Sequence, residues 1–162
     1  MSWNFEKVAG PFGLTEGPAW DGEAVLFTDI PSSRILRYDP RTGACAGWRA
    51  NTNEANGLLF DQEGRLYGCE GGGAGRRIVR YHPDGAAEVL ADRFEGKRLN
   101  SPNDLAFDAG GRLWFTDPRY GDQEDDLELG HQSVFRLDPQ PDGSWKINRA
   151  TFDTTKPNGL LI

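Results

Sequence analysis

Apolar and polar residues alternate along this chain in short segments, and the alternation predicts β-strands rather than helices. The clearest segments have one apolar face and end at a proline followed by a glycine turn: Arg34–Asp39, Arg77–His82 and Ser133–Asp138. Short apolar segments precede them, weaker ones follow, and no apolar set recurs with the helical period over three turns. The pattern therefore predicts repeated groups of strands joined by tight turns.

The strands fall into a unit of four that recurs along the chain. A polar residue opens each unit, at Glu16, Asn56, Asn103 and Asn158, so that the openings are 40, 47 and 55 residues apart. Four short antiparallel strands in a unit of this length are typical of a β-propeller blade, whereas solenoid units lack this four-strand order. The fold class is therefore predicted to be all-β, a β-propeller of four-stranded antiparallel blades.

The 162 residues contain three predicted blades and the beginning of a fourth. A propeller closes with about four to eight blades. We therefore expect residues 1–162 to form a single incomplete propeller domain, a piece of a larger ring, with blades starting near 16, 56, 103 and 158. Residues Trp3–Val8 are expected to add an outer strand to a blade that would lie beyond Ile162.

Antiparallel pairing brings the start of each first strand to the same face as the end of the second. The four openings should therefore surround one end of a central channel, with Asp29, Glu70 and Asp117 at the ends of the second strands on that face. Carboxylate and amide oxygens that meet from separate blades are suited to a hard divalent cation such as Ca²⁺. The sequence thus predicts a cation site at the channel mouth.

Composition narrows the classes of partner and compartment. The chain has 25 acidic and 18 basic residues and a formal charge of −7, which argues against binding to a nucleic-acid backbone. No apolar run is long enough for a membrane helix, and the polar N-terminal stretch does not resemble a signal peptide. A cytoplasmic location is expected, with Cys45 and Cys69 as reduced core thiols.

Several phrases resemble the senescence marker protein / gluconolactonase / luciferin-regenerating enzyme family. They are Thr15-Glu-Gly-Pro-Ala-Trp20, Ser101-Pro-Asn-Asp-Leu105, Leu113-Trp-Phe-Thr-Asp-Pro-Arg-Tyr-Gly121 and Lys156-Pro-Asn-Gly-Leu160, which occur in order over almost the whole chain. The resemblance implies a six-bladed propeller that hydrolyses lactones or related esters at a divalent ion in its channel.

The resemblance also implies roles for individual residues. Glu16, Asn158 and Asn103 would bind the metal, with Ca²⁺ expected and Zn²⁺, Mn²⁺ or Mg²⁺ as alternatives. Asn103, Ser101 and Asn56 would contact a small lactone or ester substrate. Ser101 stands where the sugar-lactone branch of the family has Arg, and the Asp expected as general base would lie beyond residue 162.

Each of these residues also has a structural interpretation. Asn56 is suited to forming a turn, and Asp117 either caps a turn or holds a second ion.

The loops and the remaining aromatic and histidine residues have structural interpretations too. The acidic run 122–128 is expected to be a solvated loop, with a substrate lid as the alternative. Gly71–Gly75 is expected to be a flexible connection between strands. His82 and His131 are expected to have no partner nucleophile, and Trp20 and Trp114 should pack between blades.

The expected function is therefore metal-dependent lactone hydrolysis, in which the cation polarises the carbonyl and activates water. The alternatives are a non-catalytic binding or scaffold module, and an inactive truncated product. Neither nucleic acid nor membrane is expected as a partner, but an unpaired blade edge could promote self-association.

Overall fold

A computed structural model of the chain describes residues 2–121 and 125–162. Within these ranges it contains three four-stranded antiparallel sheets and one small two-stranded hairpin. Blade one consists of β1 (Thr15–Trp20), β2 (Val25–Asp29), β3 (Arg34–Asp39) and β4 (Ala44–Ala50); blade two of β5 (Ala55–Phe60), β6 (Leu66–Glu70), β7 (Arg77–Tyr81) and β8 (Ala87–Ala91); the hairpin of β9 (Arg93–Phe94) and β10 (Lys97–Arg98); blade three of β11 (Leu105–Phe107), β12 (Leu113–Asp117), β13 (Ser133–Pro139) and β14 (Trp145–Arg149).

Each blade is an up-and-down meander in which consecutive strands pair, so the predicted blade architecture is confirmed. Thr15 pairs with Asp29 and Ala55 with Glu70, which puts the start of the first strand beside the end of the second. The short 3-10 helix Ile30–Ser32 links β2 to β3 in blade one. No helix in the described part of the chain has the length and apolar character needed to cross a bilayer.

Two apolar clusters hold neighbouring blades together. Between blades one and two, Leu26 and Ile35 pack with Leu58 and Val79. Between blades two and three, Tyr67 packs in a cluster with Phe115 and Phe135, whose rings stack with centroids 5.4 Å apart. These side chains are almost fully buried, and each contributes about 1.5–3 kcal/mol of hydrophobic stabilisation. Blade packing therefore fixes how the blade openings lie relative to one another.

The ends of the chain differ from the prediction. No strand forms within residues 2–8 or 150–162 of the described chain, although both were expected to contribute strands. A strand is stable only when its backbone groups pair with a neighbour, and no neighbouring strand of the described chain pairs with either segment.

Two predictions about side-chain burial also need correction. Trp20, predicted to pack between blades, is 54% exposed because Ala19 takes the buried position on β1. Cys45 and Cys69 are free, but only Cys69 is buried in the core.

Candidate functional site

The blade openings are shaped by β-bulges in blades one and two. The register of β1 against β2 shifts between Glu16 and Ala19, and that of β5 against β6 shifts between Ala55 and Leu58. The predicted residues Glu16 and Asn56 therefore lie inside or at the edge of a bulge. Bulges change the direction of a side chain and are frequent beside functional sites. The strand pattern in the sequence did not reveal them.

The first three openings contact one another through their backbones. The Thr28 hydroxyl lies 3.1 Å from the carbonyl oxygen of Glu16 and 3.0 Å from that of Asn56, which joins blades one and two. The Gly57 N–H donates to the carbonyl oxygen of Asn103 at 2.7 Å, which joins blades two and three. Glu16, Asn56 and Asn103 thus belong to consecutive, directly linked segments, as the topology predicted.

Asp104 connects the fourth opening to the third. Its Oδ2 accepts a hydrogen bond from the Leu160 N–H at 2.9 Å. Asn158, two residues earlier, donates from Nδ2 to the Tyr120 hydroxyl at 2.9 Å, and that hydroxyl donates to the carbonyl oxygen of Lys156 at 3.2 Å. This use of the amide nitrogen leaves the Asn158 side-chain oxygen available as an acceptor.

The side chains at the first three openings have no protein partner in the part of the chain that the structure describes. Within residues 2–121 and 125–162, no hydrogen bond or ion pair involves the side chains of Glu16, Asn56 or Asn103, although Asn103 is only 8% exposed. A polar side chain as buried as that of Asn103 is normally hydrogen bonded to protein or water, whereas Glu16 is exposed and Asn56 is half-buried. Together with the Asn158 oxygen, they form a set of one carboxylate and neutral amides, the donor chemistry that Ca²⁺ accepts. We refer to these four residues as the oxygen-donor row.

A cation at this row would depend on amide oxygens. In the described residues, no three His, Cys, Asp or Glu side chains come together in a group suited to a metal ion. One carboxylate with three amides would bind a hard divalent cation without making the site strongly negative. The chemistry of these residues fits the predicted cation, for which Glu16 would be the single charged ligand.

Asp29 and Glu70 were expected to add oxygens to this site, but the structure uses both in ion pairs. Asp29 accepts from Arg34 at 2.7 and 3.0 Å and from the Gly13 N–H. Burial alone would raise the pKa of Asp29, but these hydrogen bonds outweigh it and keep the pKa below the ordinary value. Glu70 accepts from Arg77, Asn53 and the Tyr81 hydroxyl. A buried carboxylate without such partners would be costly, which explains the pairing.

Asp117 lacks the equivalent arginine. Its cross-strand neighbour is Ser133, where blades one and two have Arg34 and Arg77. Its two oxygens instead accept from the backbone N–H groups of Asn100 and Ser101, at 2.9 and 2.8 Å. Burial raises the pKa of Asp117 to about 7. Since both oxygens are already used, the structure supports the capping interpretation and gives no support to a second ion at Asp117.

A polar cavity that was not predicted from the sequence lies beside the oxygen-donor row. It has a volume of about 400 Å³ and is lined by Glu54, Gly71–Gly73, Ser101, Arg119, Tyr120 and Gly121. Ser101, predicted to contact substrate, donates from Oγ to the carbonyl oxygen of Gly71 at 2.9 Å. Arg119 and Tyr120 lie in one of the phrases that resemble the family, and that phrase by itself indicates the family and not a cavity. The sequence did contain a signal for this cavity, because Glu54 lies two residues before Asn56 just as Ser101 lies two residues before Asn103.

The acidic run 122–128 lies partly outside the described residues, because 122–124 are not described. Of the remainder, Asp126 accepts from Arg76 at 3.0 Å and also pairs with Arg119, and Glu128 accepts from the Arg98 N–H at 2.8 Å. Arg76 is 3% exposed and donates to the carbonyl oxygen of Leu99 at 2.6 Å. The described acidic residues of the run are exposed, as predicted for a solvated loop, but Asp126 and Glu128 are also held in place by these contacts.

His131 does contact a hydroxyl group, since its Nδ1 lies 3.0 Å from the Ser133 hydroxyl oxygen. Ser133 is completely buried, and its oxygen also accepts from Arg149 at 2.9 Å. Such a hydroxyl cannot reach a substrate, so the pair is structural and not a nucleophile with its base.

The four-stranded antiparallel blades define the chain as part of a β-propeller. Residues 14–162 match the family described as SMP-30/Gluconolactonase/LRE-like region, so the chain belongs to this family. It is similar to the gluconolactonase of Zymomonas mobilis, with 30% identity over 100% of this chain and 49% of that protein. It is also similar to the pentonolactonase of Haloferax volcanii, with 34% identity over 91% of this chain and 45% of that protein.

Solved structures show the same relationship. A gluconolactonase from Xanthomonas campestris superimposes with a TM-score of 0.77 at 37% identity, covering 89% of this chain and 49% of that one. The chain thus spans about half the length of the relatives that it matches. This agrees with a structure of three blades from a larger propeller.

Proposed function

We propose that this chain supplies the cation- and substrate-binding half of a metal-dependent lactone hydrolase. The observation that carries the proposal is the oxygen-donor row, whose side chains at three linked openings have no protein partner among the described residues. The relatives named gluconolactonase and pentonolactonase support the choice of lactones as the substrate class. Asn103 favours this over a scaffold module, because its side chain is only 8% exposed and a buried polar side chain with no ligand to bind would normally have a hydrogen-bonding partner.

In this proposal the residues of the chain bind and orient, and do not form covalent intermediates. Glu16 and the side-chain oxygens of Asn158 and Asn103 would hold a divalent cation, which when bound supplies Lewis-acid polarisation of the lactone carbonyl. The Asn103 amide also has N–H groups that can orient a substrate oxygen. Ser101 and Asn56 would contact the ring. A water polarised by the cation can lose its proton to bulk solvent, so cation-dependent turnover is expected of this chain itself. In a complete propeller, the Asp that the family resemblance implies beyond residue 162 would accept that proton and speed the reaction.

Asn103 gives the first test, because removing its unpaired side chain should leave the fold intact. We expect Asn103→Ala to lower lactonase kcat/KM by about a hundredfold, as for loss of one oriented polar group at a reacting oxygen. Hydrolysis of D-glucono-δ-lactone is followed with a pH indicator, and the spontaneous rate is subtracted. Each protein is measured first with a chelator present and then after Ca²⁺ has been added.

Asn148→Ala is the matched control, since Asn148 lies on the outer strand β14 and pairs with Asp138. It should retain full activity. Equal activity in Asn103→Ala and wild type, or turnover that is unaffected by the chelator, would contradict the proposal.

A further inference from the structure

The polar cavity beside the oxygen-donor row combines equivalent positions from neighbouring blades. Glu54 and Ser101 each lie two residues before an opening Asn, and Tyr120 reaches the fourth opening through its hydrogen bond with Asn158. A molecule bound at the row would therefore have this cavity at its side. None of the roles proposed above uses Glu54.

Glycines in the loop after β6 make room for the polar side chains of this cavity. A Cβ atom on Gly72 would overlap the Glu54 carboxylate, and one on Gly71 would lie 2.9 Å from the Ser101 hydroxyl oxygen. The run Gly71–Gly75 is thus not only a flexible connection, as the sequence suggested. Its bare backbone forms a surface that the Glu54 and Ser101 side chains closely approach.

Glu54 adopts an unusual conformation and is an exposed residue in the lining of the cavity. Its φ of 54° lies in the left-handed region, where glycine or asparagine would be less strained, and its N–H donates to the Ser33 hydroxyl at 3.0 Å. Within the described ranges, no hydrogen bond or ion pair reaches its carboxylate, whereas nearby Arg119 is paired with Asp126. Strain of this kind is concentrated at binding and catalytic sites.

We propose that Glu54 recognises hydroxyl groups on the ring of a polyhydroxylated lactone, which makes the cavity a specificity site. This inference rests on the proposed lactonase function and defines its substrate class. A carboxylate accepts two hydrogen bonds at once and so suits two neighbouring hydroxyl groups. The Ser101 hydroxyl already donates to Gly71, so its oxygen is an additional acceptor for the ligand.

Comparison of two lactones tests the role of Glu54. We expect Glu54→Ala to lower kcat/KM for D-glucono-δ-lactone by about tenfold, mainly through KM, since a charge-assisted hydrogen bond is lost. For δ-valerolactone, which has no ring hydroxyl, the change should stay within about twofold. Glu54→Gln keeps a hydrogen-bonding oxygen without the charge and should recover part of the loss. An equal loss on both lactones, or no loss on either, would overturn the inference.

Glu63→Gln is the matched control, because Glu63 is an exposed carboxylate at the β5–β6 turn of the same blade. It should leave both substrates unaffected. If the wild type hydrolyses neither lactone, the proposed function fails, but the cavity is still tested by binding of xylitol in saturation-transfer NMR. Signals that disappear in Glu54→Ala and persist in Glu63→Gln support the site. Absent wild-type signals, or signals equal in all variants, overturn it.

Discussion

Three carboxylates at matching strand ends show how one residue position can have different electrostatics in each blade. Asp29 and Glu70 have an arginine across the strand, whereas Asp117 faces Ser133 and relies on two backbone N–H groups. Backbone donors carry no net charge, so they offset burial less than a guanidinium does. Asp117 is consequently the carboxylate with a pKa raised to about 7.

This raised pKa predicts how stability depends on pH. Because the folded state holds the proton more tightly than the unfolded chain, Asp117 contributes stability at low pH that is lost as the pH rises from about 4 to about 7. Relative to Asp117→Asn, the wild type should lose up to about 4 kcal/mol of unfolding free energy over this interval and no more above it. Urea denaturation of both proteins at several pH values measures the difference. A constant difference across the interval would show that Asp117 stays ionised.

At the scale of the strand, the tight approach of neighbouring blades depends on Gly17. Its φ is 52°, and a Cβ atom there would overlap the carbonyl oxygen of Asn56 in the next blade. The backbone at Asn56 cannot move aside without disturbing the bulges that carry Glu16 and Asn56. The same glycine therefore supports both the packing of the blades and the position of the oxygen-donor row.

We expect Gly17→Ala to lower the free energy of unfolding by about 2–4 kcal/mol, because it adds a steric clash to an unfavourable φ. Gly43→Ala separates the two effects, since Gly43 also has a positive φ of 72° but nothing lies within 4 Å of its Cβ position. That control should cost only about 1 kcal/mol. Chemical denaturation of the two variants provides the comparison, and equal costs would contradict the proposed contact between blades.

The strands were predictable from sequence because local alternation and turn residues determine them, as in β3, β7 and β13. The polar residue at each opening was predictable because it recurs. The arginine partners of Asp29 and Glu70 were not inferred, although Arg34 and Arg77 occupy matching places. The bulges and the cavity at Glu54 depend on contacts between blades, which no local pattern specifies.

At the scale of the molecule, a negative charge of −7 opposes association while exposed apolar residues favour it. Phe5 is 93% exposed and Leu161 95%. At physiological salt, charge repulsion is screened beyond about 8 Å, so apolar contact between chains should dominate at short range. We therefore propose that the 162-residue chain self-associates.

Light scattering at increasing protein concentration should show a mass above that of one chain, and a larger mass at higher salt. A Phe5→Ser/Leu161→Ser variant should shift the mass toward the monomer because it removes apolar surface. A wild-type mass that equals one chain at every concentration and salt would contradict this expectation.

Calcium titration calorimetry of the chain tests the oxygen-donor row most directly. We predict saturable binding by the wild type and by Glu23→Gln, an exposed carboxylate at the β1–β2 turn, with at least about tenfold weaker binding by Glu16→Gln because the single charged ligand is lost. Equal calcium affinity in Glu16→Gln and wild type, or no binding by the wild type, would contradict a cation site formed by these blade openings.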